Sequence, residues 1–189
     1  MIVAGDGGPR GRAERPNVIV ILTDDQGCWA MGCAGNPEIR TPHLDALAGA
    51  GVRFENLFCT SPVCSPARAS LLTGRLPSQH GVHDWLRAGN STVETERGGE
   101  LIEYLAGQTG YTDILSRHGY VCGISGKWHL GETEEFWPEN RGFDINKGGW
   151  SRGGPYGPGK YFTPYGNPRL KDGPEGEHLP DRLATETAR

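Results

Sequence analysis

Asn17-Val18-Ile19-Val20-Ile21-Leu22-Thr23-Asp24-Asp25-Gln26-Gly27 is the stretch from which the fold is read. Its first seven residues form a short, continuous, β-branched apolar run. Such a run predicts a strand covered on both faces, as in a parallel sheet packed between helices. The acidic turn then falls at the carboxyl end of the strand, where open α/β sheets place their ligands. Adjacent carboxylates repel unless a cation lies beside them, so Asp24 and Asp25 are candidate ligands of a hard cation such as Ca²⁺, with Mg²⁺ as the alternative. The plainer account is a solvated turn, where Asp is common for turn chemistry.

Ahead of this run, residues 1–16 are rich in Gly, Pro and Arg without periodicity and read as a disordered lead-in, leaving 17–189 as one folded domain. Behind it, Thr41-Pro42 supplies an N-cap and a first-turn proline for a helix carrying Leu44, Leu47 and Ala48, ended by Gly51. Val52 to Phe58 reads as a second strand, and Ala67 to Thr73, behind a Cys-Ser-Pro turn and before Gly74, as a helix. Tyr111 to His118 is a further helix stopped by Gly119. Tyr120 to Ser125 is a third strand running into Gly126-Lys127. Residues 132–176 turn aromatic, Gly- and Pro-rich, without a countable period, and read as loop. Leu179 to Arg189 reads as the start of a helix. This order suits an α/β fold, a three-layer sandwich whose mostly parallel central sheet is flanked by helices.

A chain of 189 residues has room for one sizeable core, and its 30 Gly and 14 Pro point to long, function-bearing loops. A net charge of −4 argues against a nucleic-acid partner. No apolar run is long enough for a signal peptide or a spanning helix. The expectation is therefore a cytoplasmic protein without a membrane partner, or a periplasmic or secreted one if the N-terminus is incomplete. Five cysteines are an odd number, so at least one thiol is free or modified.

Three short motifs carry chemistry: Asp24-Asp25; Cys64-Ser65-Pro66-Ala67-Arg68, continued by Ala69-Ser70-Leu71-Leu72-Thr73-Gly74-Arg75; and Gly126-Lys127-Trp128-His129-Leu130-Gly131. Lys127 and His129 would share a face if the third strand continued through them. Taken alone, Cys64 is also compatible with a small buried thiol at a helix start.

In this order and spacing, the three motifs resemble the type I, formylglycine-dependent sulfatases of the alkaline-phosphatase-like superfamily. Thr41-Pro42-His43-Leu44-Asp45 and Gly81-Val82-His83 are secondary landmarks, and the resemblance covers roughly residues 17–145. It implies that a maturation enzyme oxidises Cys64 to formylglycine, whose hydrate attacks sulfur with one hydroxyl and expels sulfate with the other. It further implies catalytic roles for Cys64, Arg68, Lys127 and His129. Asp24, Asp25 and the modified Cys64 would ligate one divalent cation, usually Ca²⁺. The substrate would be a sulfated carbohydrate or small molecule, and the segments 161–168 and 172–177 are similar to bacterial carbohydrate-degrading members. Family members are longer and complete the metal and anion sites downstream. The resemblance therefore implies an N-terminal fragment, incomplete at its C-terminus and inactive by itself.

Three other readings stay open at this point. The superfamily also contains phosphonate and phosphate ester hydrolases. A non-catalytic remnant would keep the fold without maturing. Cys28, Cys33, Cys59 and Cys64 could form a four-thiolate zinc module, although that leaves Arg68, Asp24, Asp25 and Lys127 unexplained. His80 and His83 take an ordinary structural or substrate-rim role.

Overall fold

The computed structural model describes residues 15–86, 105, 107–155 and 160–189. The chain divides into two compact units, Met1–Phe58 and Cys59–Arg189. The expected lead-in, 1–16, lies almost wholly outside the described residues.

In the first unit, helix α1 spans Pro42–Ala50, as the Thr41-Pro42 signal predicts. The Thr41 side chain makes no cap bond to its own helix. Its Oγ1 instead accepts from the Gly32 amide (2.8 Å) and donates to Asp45 Oδ1 (2.8 Å). Asp45 Oδ1 also accepts from the Cys33 amide at 2.7 Å. These bonds, the Thr41 hydroxyl foremost and the Cys33 amide next, hold the Asp45 carboxyl below its usual range. They tie the 3-10 turn Gly32–Ala34 to the start of α1.

The two strands expected in this unit are not formed. Residues 17–23 and 52–58 belong to no ladder, and Val18, Ile19, Ile21, Leu22, Val52, Phe54, Leu57 and Phe58 are all exposed. A β-branched run favours extended backbone, but a strand exists only where a neighbour takes up its N–H and C=O groups. Among the described residues nothing pairs with either segment.

The second unit holds most of the regular structure. Helix α2 spans Cys64–Thr73 and so begins at the Cys-Ser-Pro turn rather than behind it. Pro66 is accommodated because the first helical turn has no intrahelical use for its missing N–H. Gly74, at φ 67, closes the helix with its amide on the Ser70 carbonyl (2.8 Å). Helix α3 is one turn, Pro77–His80, and α4 spans Tyr111–Arg117. Strand β1, Gly123–Ser125, pairs in parallel with β2, Ile145–Lys147. The third expected strand is thus present but short. Strand β2 lies inside the stretch read from the sequence as loop. Helix α5, Leu179–Thr187, realises the expected C-terminal helix, and Ser125 Oγ on β1 donates to its Leu183 carbonyl at 3.0 Å. Among the described residues the sheet is therefore parallel but two-stranded.

Ala69 and Leu72 of α2 enter a core with Val82, Leu86, Cys122, Trp128, Leu130, Trp137 and Phe143. Trp128 and Phe143 meet edge-to-face with centroids 5.8 Å apart, and Trp128 Nε1 donates to the Phe136 carbonyl at 3.0 Å. The indole is thus buried with its polar handle satisfied. Burial, with Asp144 and Asp113 adding to it, raises the Cys122 thiol above its usual range, which keeps it neutral and inert.

Candidate active site

Cys64 is the first residue of α2, half-buried, with a free thiol. The two side chains that follow it on one face of the helix, Ser65 and Arg68, both leave the helix for the same distant segment. Ser65 Oγ donates to the His129 carbonyl at 2.9 Å, and Arg68 Nη1 donates to the Lys127 carbonyl at 2.7 Å. Ser65 is fully buried, and its Oγ also accepts from the Leu86 amide at 3.2 Å. Two helical side chains one turn apart thereby grip two carbonyls two residues apart. The N-terminus of α2 and the Gly126–Gly131 segment form one place in the molecule.

The reason Lys127 and His129 come there differs from the sequence expectation. Strand β1 ends at Ser125, Gly126 takes φ 109 and His129 takes φ 59, so the alternation of a continuing strand does not apply. A left-handed backbone at a non-glycine residue is uncommon and is held by its surroundings. For His129 these are visible. Its amide donates to the Trp150 carbonyl at 3.2 Å. Its ring lies so close to Gly153 that a Cβ there would sit 2.5 Å from Cε1. His129 is 7% exposed, while Lys127 is half-buried.

Of the two roles left open for His80, structural or at the substrate rim, the structure shows the first, and sequence reasoning missed only the bond through which it braces α2. His80 is buried, and its Nδ1 accepts from the Val82 amide at 3.1 Å, so a neutral ring carries its proton on Nε2. That nitrogen lies 2.9 Å from Ser70 Oγ on α2. Burial, and then the nearby His83, push the His80 pKa below its ordinary value. His80 is accordingly structural, and His83 is exposed. Ser65 and Ser70 carried one available signal: they are polar residues on the buried face of a short helix, where each needs a partner.

Asp24 and Asp25 both lie in the first unit, in a bend, exposed, with Asp25 at φ 54. Asp tolerates that conformation better than most residues. Their hard oxygens suit Ca²⁺ in kind but not in number, since Ca²⁺ takes roughly 6–8 oxygen ligands. Among the described residues no group of three or more His, Cys, Asp and Glu gathers to hold a metal ion. Cys28, Cys33, Cys59 and Cys64, the four thiolates of the zinc reading, are all described and free. Among the described residues, no helix is long and apolar enough to cross a membrane.

A family model described as Sulfatase matches residues 16–187. N-acetylgalactosamine-6-sulfatase of Homo sapiens is 37% identical over 161 residues, which cover 85% of this chain and 29% of the relative. Arylsulfatase A of Homo sapiens is 39% identical over 133 residues, covering 69% of this chain and 24% of the relative. The crystal structure of Ps i-CgsB matches with a TM-score of 0.66 at 28% identity, over 88% of this chain and 39% of that one. BT4656 in complex with its substrate D-glucosamine-2-N,6-O-disulfate matches with a TM-score of 0.53 at 31% identity, over 69% of this chain and 22% of that one. The chain spans under a third of the length of these two curated relatives.

Proposed function

Since the chain belongs to the sulfatase family, we propose that it contributes the nucleophile end of a site that hydrolyses a sulfate ester. The observation that supports this reading is the pair of bonds from Ser65 and Arg68 to the carbonyls of His129 and Lys127, which tie the first turn of α2, the turn that begins with Cys64, to the Lys-Trp-His segment. Cys64 is the residue oxidised to formylglycine, whose hydrate supplies an oxygen nucleophile that a thiol does not. Arg68 and Lys127 supply positive charge for sulfate oxygens, and His129 exchanges a proton at the reacting oxygens. Arg68 already spends one N–H on the Lys127 carbonyl, so its guanidinium is aimed by that bond.

Asp24 and Asp25 would contribute carboxylates to a Ca²⁺, which when bound counters charge on the sulfate oxygens. The fold of the whole protein would be the three-layer sandwich of the superfamily. The substrate class is a sulfated carbohydrate. This is supported by the ligands of related structures, D-glucosamine-2-N,6-O-disulfate on BT4656 and k-i-k-neocarrahexaose on Ps i-CgsB.

The test is the mass of the tryptic peptide 54–68 after co-expression with a formylglycine-generating enzyme, with Cys64→Ala as control. Conversion lowers that peptide by about 18 Da and leaves an aldehyde that reacts with hydrazide probes. An unconverted thiol, under conditions that convert a known sulfatase, overturns the reading.

A further inference from the structure

Two arginines lie over tryptophan faces in the second unit, and their charges are treated differently. Arg169 sits 4.6 Å from the Trp137 ring centroid and is neutralised by Glu139 (2.5 Å) and Glu134 (3.5 Å). Arg152 sits 5.2 Å from the Trp150 ring centroid, is exposed, and takes part in none of the ion pairs among the described residues. The two tryptophans meet edge-to-face at 6.5 Å, so Trp150 is a held platform rather than a loose ring.

The position of the second pair gives it meaning. Trp150 accepts the His129 amide through its carbonyl (3.2 Å), and Gly153 lies against the His129 ring. Arg152 lies between these two residues in the chain, so its backbone runs beside the His129 segment of the candidate active site, and its uncompensated guanidinium stays with the Trp150 ring. The Trp150 ring beneath the guanidinium holds it in place, and a planar cation so held suits an anionic group on a sugar, which it binds by paired N–H donors.

We propose that Trp150 and Arg152 form a subsite for a second negative group, sulfate or carboxylate, on the carbohydrate whose sulfate ester is cleaved at Cys64. This rests on the sulfatase reading and narrows it from sulfate esters in general to polyanionic sugars. Arg152 is a specificity residue here. It discriminates among sulfated substrates and leaves the reacting sulfate to Arg68, Lys127 and His129.

The experiment is calorimetric binding to the full chain at low ionic strength with three probes: N-acetyl-D-glucosamine-6-O-sulfate, whose nitrogen carries no charge, D-glucosamine-2-N,6-O-disulfate, and a 6-O-sulfated, N-acetylated disaccharide carrying a uronate. The expected result is a preference of about tenfold for at least one dianionic probe over the monosulfate, the size of one charge-assisted hydrogen-bond pair. The probe preferred identifies the second group as sulfate or carboxylate. Arg152→Gln abolishes the preference with monosulfate binding unchanged, and Arg152→Lys retains most of it. No preference in the wild type, or an equal preference in Arg152→Gln, overturns the subsite. Failure here with Cys64 converted removes the subsite and keeps the sulfatase reading. An Arg152-dependent preference without conversion of Cys64 does the reverse.

Discussion

Residues 17–23, a β-branched apolar run, and residues 123–125, Gly-Ile-Ser, have fates opposite to their propensities. The longer and more apolar run has no ladder partner among the described residues, and Val18, Ile19, Ile21 and Leu22 stay 44–59% exposed. The shorter run, diluted by Gly123, pairs in parallel with Ile145–Lys147 and has Cys122 buried at its entrance. What separates them is the neighbour. Asp144, just before β2, accepts the Cys122 amide on its Oδ2 (2.8 Å), and the Asp144 amide donates to the Cys122 carbonyl (2.8 Å). That exchange sets the register before the first ladder residue. A pattern that predicts extended backbone does not predict who will pair with it.

This contrast is sharpened by substitutions on its two sides. Trp128→Ala removes a 3% exposed indole from the core of the second unit and is expected to cost about 3–5 kcal/mol in urea unfolding of the full chain. A loss under about 1 kcal/mol would mean that this core is not packed as described. Ser65→Ala leaves the Leu86 amide and the His129 carbonyl without their buried partner, at an expected cost of about 1–3 kcal/mol. It also loosens the grip of α2 on the Lys127–His129 segment, which amide hydrogen exchange at Leu86 reports directly.

The His80 brace predicts a pH dependence. Its folded pKa lies below the ordinary 6.5, so between those values the unfolded chain binds more protons than the folded one. The stability held by His80 is complete above 6.5 and is lost as pH falls from there through the depressed folded pKa. Unfolding midpoints of the wild type fall over that range, and His80→Gln flattens the slope. The shift at Asp45 acts only below its ordinary 3.8 and in the other unit, so it does not mimic this. The smallest effect belongs to the exposed run. Ile21→Ser is expected to change the stability of the chain by no more than about 0.5 kcal/mol, and a larger loss would show that the run is buried after all.

The sequence is enough for everything that depends on local chemistry. Thr41-Pro42 starts α1, Gly74 and Gly119 stop helices, and the motifs around Cys64, Lys127 and His129 are legible as short patterns of residue types. These are properties of a few adjacent residues: a fixed φ, a missing Cβ, a nucleophile followed by Pro and Arg. Tertiary structure alone decided that α2 begins at Cys64 itself. It brought Lys127 and His129 to that helix through their carbonyls rather than through strand alternation, and it used Ser65, Ser70 and His80 to hold the helix in place. It also formed a strand at Ile145–Lys147 and denied one to Val18–Leu22. The physical reason is common to all of these. Each depends on a hydrogen-bond partner many residues away, and a backbone or hydroxyl group carries no mark in the sequence of which distant group will satisfy it.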